Sequence, residues 1–462
     1  MVFTLLLVNF LGLIIIVFET WRWKKIKFID FLRGFNIIYF IIYFLVPTYI
    51  ILSDFIISSL PQSFTWIFSI KYKDPYWTFL ASIIAIIGYV CTIISYYLGF
   101  AIFKSIGDKI NSQLNKVKNS DWLLLSIVIL FLGSLSLELY ILKRSAPIYE
   151  LIKYAGLLRS GHKVAGINET SFTFLTFSSI VTFSSYIFLG LIFDNSSTFK
   201  KRLFYFFGFG VSAVISLLML ILKAGRLHII NYLLVILLTL YSSVKNRIFK
   251  VFFIVLSLLI IILIFLYGKY LLRIRFEEPS YNSLHNIISN VFVEFSFPYL
   301  SLINLIYSIP TKASYRYFLD LPIGILRIIM SLISKILGIK LDFPLTISQQ
   351  NTLIILGTER GGIPVDILGA GYFSASIFGV IFIMSCFGMV LAFFERIFNN
   401  IIHPVVKTLK IVWILYFSTM VVLYADPAIL FWDGVYVLFP TMVFLIIYFI
   451  SEYKKYSLHK KG

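Results

Sequence analysis

Acidic residues are scarce in this chain: 21 Asp and Glu among 462 residues, with charged residues of either sign at only 13%. Soluble domains carry about 25%, so a solvated globular surface is excluded for most of the length. Histidine numbers five and cysteine two. Cys91 and Cys386 both lie in apolar blocks without metal-ligand spacing, which excludes a zinc site and a disulfide framework and leaves the redox compartment open. Also missing are a phosphate-cradling Walker loop, an HExxH helix, an H-x-x-x-x-D acyltransferase pattern and an Asp-x-Asp pattern for a metal–nucleotide donor. No metal and no other cofactor is expected. The apolar blocks carry almost no charge, which argues against an ion-coupled transporter with carboxylates at the bilayer midplane.

What is abundant is apolar side chain: 60% of residues are hydrophobic, and the mean hydropathy is +0.95. The excess comes in blocks of about 20 residues, the length that crosses a hydrocarbon core. The expectation is an all-α, polytopic transmembrane helical bundle of about 11 spans, near 2–20, 34–53, 77–103, 122–142, 171–193, 203–222, 227–241, 251–268, 372–394, 411–424 and 432–451. It reads as one integral membrane domain over 1–462, with a long loop from 269 to 371 and no room for a separate soluble domain of about 100–200 residues. The block Val2–Phe18 has no basic residue before it and no small-residue cleavage site, so it reads as a retained span.

A net charge of +19 resembles a nucleic-acid signature, but basic residues also collect in the cytoplasmic loops of membrane proteins. No nucleic-acid partner is expected. Arg22, Lys24, Lys25, Lys27 and Arg33 fill the first gap between spans, and alternate gaps and the tail repeat the enrichment. That alternation predicts an outer N-terminus and a cytoplasmic C-terminus. Three gaps on the opposite face are nevertheless basic: 143–170 holds five Lys and Arg, 223–226 two, and 269–371 nine. Orientation does not ask for these, and an anionic ligand on that face does. Within the long gap, 287–307 and 321–337 are apolar but interrupted by Glu294, Pro298, Arg327 and Lys335; they read as helices lying along the interface.

Three constellations can carry chemistry. In Lys223-Ala-Gly-Arg226, a glycine permits a tight turn and Arg226 opens the next span. Its fixed guanidinium donors suit a phosphate, because a cation gains nothing from the dipole at a helix start. Alternatively, Arg226 is a snorkelling end-of-span cation, and His228 a packed histidine. In Gly357-Thr-Glu-Arg-Gly-Gly-Ile-Pro364, glycine-rich backbone can approach an oxyanion while Glu359 and Arg360 act as acceptor and clamp; a turn with a surface ion pair is the bland alternative. The gap 143–170 supplies Arg144, Arg159 and His162, with Glu138 a turn inside the preceding span.

At these residues the chain resembles the oligosaccharide repeat-unit polymerases, the O-antigen or capsule polymerase family of bacterial envelopes. The likeness is one of layout over roughly 140–395: the tight Gly225-Arg226 hairpin, a long late loop ending in Gly362-Ile-Pro364, then Gly369-x-x-Tyr372 and a span with Gly379 and Gly388. Where the family commonly has a glutamate near the end of that loop, this chain has Ala370 after Gly369. The resemblance implies a multi-pass protein of the bacterial cytoplasmic membrane that joins polyprenyl-diphosphate-linked oligosaccharides, donor and acceptor, with a chain-length regulator and a flippase as partners. Under it, Arg226, Arg360, Lys223, Arg144 and Arg159 would hold the diphosphate without a metal, and Glu359, His285 or His162 would serve as base. A ligase that moves finished polymer, or a flippase for the same lipid, remains the alternative.

Overall fold

The computed structural model describes residues 2–23, 29–52, 74–159, 163–168, 172–271, 292, 295–337, 344–358 and 362–446. Among them no strand occurs. The helices are α1 (Val2–Trp23), α2 (Phe31–Leu52), α3 (Pro75–Ile102), α4 (Lys104–Leu114), α5 (Asn119–Arg144), α6 (Ile148–Lys153), α7 (Ala155–Arg159), α8 (Thr173–Ile192), α9 (Phe199–Leu222), α10 (Arg226–Ser243) and α11 (Arg247–Leu271). They continue with α12 (Phe297–Ser308), α13 (Asp320–Leu337), α14 (Ile347–Leu356), α15 (Ile367–Ile397), α16 (Pro404–Val421), α17 (Pro427–Asp433) and α18 (Val435–Ile446). Ten described helices are long and apolar enough to cross a membrane, eleven if α17 and α18 form one broken span. The chain is a multi-pass, all-α membrane protein, with spans where the hydropathy blocks stand.

The chain divides into two compact units: residues 1–112, 280–400 and 414–432 form the first, and 113–279, 401–413 and 433–462 the second. In unit 1, α3 and α15 pack backbone against backbone. A methyl at Gly99 would lie 3.2 Å from Met389 Cα, and one at Gly388 would overlap Ser95. Small residues permit such approach where no hydrophobic force drives helices together. α15 is bent at Ala375 and Ser376 (φ 55°), so that 367–374 folds back until Gly371 lies against Val380. Asp366 caps the start of this short arm, accepting from Gly369 N at 3.1 Å and Leu368 N at 3.2 Å. Phe373 and Ser374, at its end, give their carbonyls to Arg316 N and Tyr317 N at 3.0 and 2.8 Å.

α12 is buried on nearly every side in unit 1. Its 12 residues rise about 18 Å, well short of a hydrocarbon core of about 30 Å. The sequence places an interfacial helix over 287–307; the described part of that stretch is core, because it carries apolar side chains all round rather than on one stripe. α13 keeps an open apolar stripe through Leu321, Ile325, Ile329 and Ile333, while Gly324 packs against Pro427.

The first charged gap is less free than its composition implies. Arg22 and Arg33 are buried and pair with acids: Arg22 with Glu19 and with Asp30 (2.5 Å), Arg33 with Glu19 (3.1 Å). Asn36 adds a bond to Glu19 at 2.6 Å, and Phe31 N donates to Glu395 of α15 at 3.0 Å.

In unit 2, α8 is the buried centre, with α5 and α9 packed on it. Serines bond α8 and α5 in both directions: Ser184 Oγ of α8 donates to Ser126 O of α5 at 2.8 Å, and Ser136 Oγ of α5 donates to Phe174 O of α8 at 2.7 Å. Gly190 abuts Val405 of α16 and Gly208 of α9 abuts Phe188.

Candidate functional site

The α9–α10 hairpin in unit 2 is made by Lys223, Ala224 and Gly225. The positive φ falls on Ala224 (49°), while Gly225 is extended (φ −101°). Gly225 is needed for space instead. A methyl there would lie 3.0 Å from His228 Nδ1 and 3.7 Å from Arg159 Nη1. Arg159, at the end of α7, reaches over and donates Nη1 to Ala224 O at 2.6 Å. The gap residues 159 and 223–226, distant in sequence, therefore share one place.

Lys223 is only 8% exposed, and its Nζ stands 2.7 Å from Asp433 Oδ1. His228 Nε2 lies 3.4 Å from that Nζ and 3.8 Å from the same carboxylate oxygen, with its ring edge-on to Tyr436 at 6.4 Å. Residues 226 and 228 are separated by about 200° around a helix, so Arg226 leaves on another side. Its stem packs on Gly268 of α11, where a methyl would stand 2.8 Å from Arg226 Cδ. Lys223 and His228 stand beside Asp433, Arg159 bonds the hairpin's backbone, and Arg226 flanks the same turn from the α11 side.

Sequence reasoning missed Asp433. A carboxylate at the start of the last apolar block was the available signal, since ionisable groups inside spans are costly and seldom idle. Arg144 belongs elsewhere. It is 5% exposed, donates Nη1 to Asn168 O at 3.0 Å, and lies 5.3 and 5.4 Å from the rings of Tyr140 and Phe172. That pins the loop after α5, and the structure does not bring Arg144 to the hairpin contacts. Lys143 sits on the ring of Phe174 at 4.5 Å. Glu359, Arg360, His285 and His162 lie outside the described residues.

Unit 1 carries a second polar cluster, from the long late gap. Arg316 bonds Leu345 O (2.9 Å) and Gln350 Oε1; Arg327 of α13 bonds Gln349 Oε1 (2.8 Å) and Pro344 O (3.3 Å). Asp426 accepts from Ser348 N and Ala428 N, each at 3.0 Å. Asp320, at the start of α13, is 5% exposed, and neither oxygen is hydrogen-bonded to another described residue; Arg316 Nε stands 4.0 Å away. Burial, reinforced by the charge of Asp426 and partly offset by Arg316, pushes the Asp320 carboxyl up to about 6.

Among the described residues no cluster of His, Cys, Asp and Glu has the makings of a metal site. No family model matches the chain, and neither a curated protein nor a solved structure is similar to it.

Proposed function

We propose that the chain is a metal-independent glycosyltransferase of the polysaccharide-polymerase type, joining polyprenyl-diphosphate-linked oligosaccharides on the extracytoplasmic face of a bacterial cytoplasmic membrane. The observation that supports this reading is the convergence of three cations, Arg159, Lys223 and Arg226, on the one α9–α10 hairpin, where Lys223 is buried beside Asp433. Such a site matches a diphosphate head group by charge, and arginine meets its oxygens bidentately. The donor's anomeric carbon–oxygen bond breaks, and the diphosphate leaves with the electron pair. Guanidinium groups fixed in advance stabilise the charge that develops on it. The acceptor hydroxyl oxygen forms the new bond at the anomeric carbon and gives up its proton to a base. His228, on the hairpin beside Lys223, is the site's own candidate. The sidedness rests on the basic alternation of the loops.

Arg226→Ala is the direct test. It should abolish long polymer while single repeat units still form, and should remove binding of geranylgeranyl diphosphate to the purified chain. Normal polymer lengths together with unchanged diphosphate binding would refute the reading. The phenotype also separates the alternatives: a ligase defect leaves finished polymer on the carrier lipid, and a flippase defect leaves repeat units on the cytoplasmic side.

A further inference from the structure

The unit 1 cluster lacks hydrogen-bond donors. Both oxygens of Asp320 and the Oγ of Ser348 are buried and without hydrogen-bond partners among the described residues. The donors that stand near are already engaged. Arg316 is held by Leu345 O and Gln350, Arg327 by Gln349 and Pro344, and the backbone amide of Ser348 by Asp426. An ionised carboxylate accepts up to about four bonds, and leaving such acceptors dry in a folded interior is costly. Whatever completes this site must therefore bring donors. An anion is excluded by Asp320 and Asp426. A metal ion is disfavoured by two nearby guanidinium groups. Neutral hydroxyls fit.

The backbone beside Asp320 adds an independent sign. Tyr317 and Phe318 are both left-handed, at φ 50° and 65°. Two consecutive aromatic residues rarely adopt that conformation, and strain of this kind gathers at ligand sites. It is maintained here by the bonds from Arg316 N and Tyr317 N to the short arm of α15. The result is an aromatic shelf. Tyr317 is 69% exposed, and Tyr315 stands 6.4 Å from it and 6.5 Å from Tyr372, centre to centre. A ring face offers an apolar plane with a polar edge. Sugars present the matching surfaces, a C–H face and a rim of hydroxyl donors.

We propose that Asp320, Ser348 and Tyr317 form a carbohydrate site in unit 1, with Asp320 accepting the hydrogen of a sugar hydroxyl while the sugar ring lies on Tyr317. Its assignment to the acceptor oligosaccharide rests on the function proposed above. As a hydroxyl acceptor in contact with that sugar, Asp320 deepens the earlier reading by giving the neutral part of the substrate its own subsite, apart from the diphosphate.

The test uses the full chain in lipid nanodiscs with maltotriose, cellotriose and chitotriose as probes, read by saturation-transfer difference NMR. At least one sugar should give ring-proton signals at pH 7.5. Asp320→Asn and Tyr317→Ala should each weaken it about tenfold or more, the size expected for a lost bond to a charged group, while R226A leaves it intact. Tyr317 is exposed, and among the described residues the Asp320 oxygens make no hydrogen bond and meet only Arg316 Nε, at 4.0 Å, so neither substitution removes a packing contact that folding needs. Silence from every sugar, or signals that both variants leave unchanged, would assign the empty acceptors to buried water alone and overturn the proposal. Geranylgeranyl diphosphate reads the other site separately. Its binding should vanish in R226A and persist in D320N, and its persistence in R226A would sink the diphosphate reading without touching the sugar site.

Discussion

Asp320→Asn should stabilise the protein at neutral pH. The wild-type carboxyl is lifted from 3.8 to about 6 by burial. Each pKa unit corresponds to about 1.4 kcal/mol, so keeping Asp320 ionised in the folded state costs about 3 kcal/mol above pH 6. Asparagine removes that charge, brings two donors of its own, and leaves Arg316 without its distant partner; a net gain of about 1–3 kcal/mol is expected. The sign with pH follows from proton counts. Between about pH 4 and 6 the folded chain holds a proton that the unfolded chain has released, so wild-type stability falls as pH rises through that window. Asn does not titrate. The variant's advantage should therefore be near zero at pH 4, grow to pH 6, and stay level above it. Thermal unfolding of the chain in detergent, followed by fluorescence of its seven tryptophans, should show a midpoint raised by a few degrees at pH 8. A variant less stable than wild type at pH 8, or a difference that is constant from pH 4 to 8, would refute the reasoning.

Other outcomes follow from the hairpin and the helix contacts. Asp433→Asn strands the buried Lys223 ammonium and should destabilise by about 3–5 kcal/mol; the pair Lys223→Met with Asp433→Leu should recover stability in the same melt yet leave polymer formation lost. Gly268→Val should displace the Arg226 stem, weakening geranylgeranyl diphosphate binding while the helical circular dichroism is retained. Gly388→Leu should wedge α3 from α15 and lower the yield of folded protein, read by size-exclusion chromatography, whereas Gly210→Ala, where a methyl meets nothing within 4 Å, should be neutral in the same measurement.

The spans were legible because a 20-residue apolar block states its own length, and most blocks differ from the observed helices by only a few residues. The hairpin at Lys223–Arg226 was legible too, through glycine and a basic pair squeezed between two apolar runs. Its carboxylate was not, since Asp433 reaches Lys223 from 210 positions away and hydropathy has no memory of tertiary neighbours. The same blindness hid Asp320, which reads as an ordinary helix-start acid until its missing donors are counted. α12 was misplaced along the surface because an apolar run interrupted by Pro298 looks alike whether its outer side meets lipid or other helices. The fold-back in α15 had only Ala375-Ser376 to announce it, neither of them a usual breaker. Arg144 passed for a ligand because side-chain charge is visible in sequence and its clasp on Asn168 is not.

The bond from Phe31 N to Glu395 closes over 364 positions, and it ties the first buried ion network to the ninth span. At about 5–20 residues per second, a ribosome needs roughly 20–70 s to deliver Glu395 after Phe31 has emerged. During that interval Glu19, Arg22, Asp30 and Arg33 already have one another, a nearly balanced set drawn from the first two helices. The four buried charges of the N-terminal hairpin thus answer one another before the ninth span exists, and α15 arrives later to latch a door that has been holding itself shut.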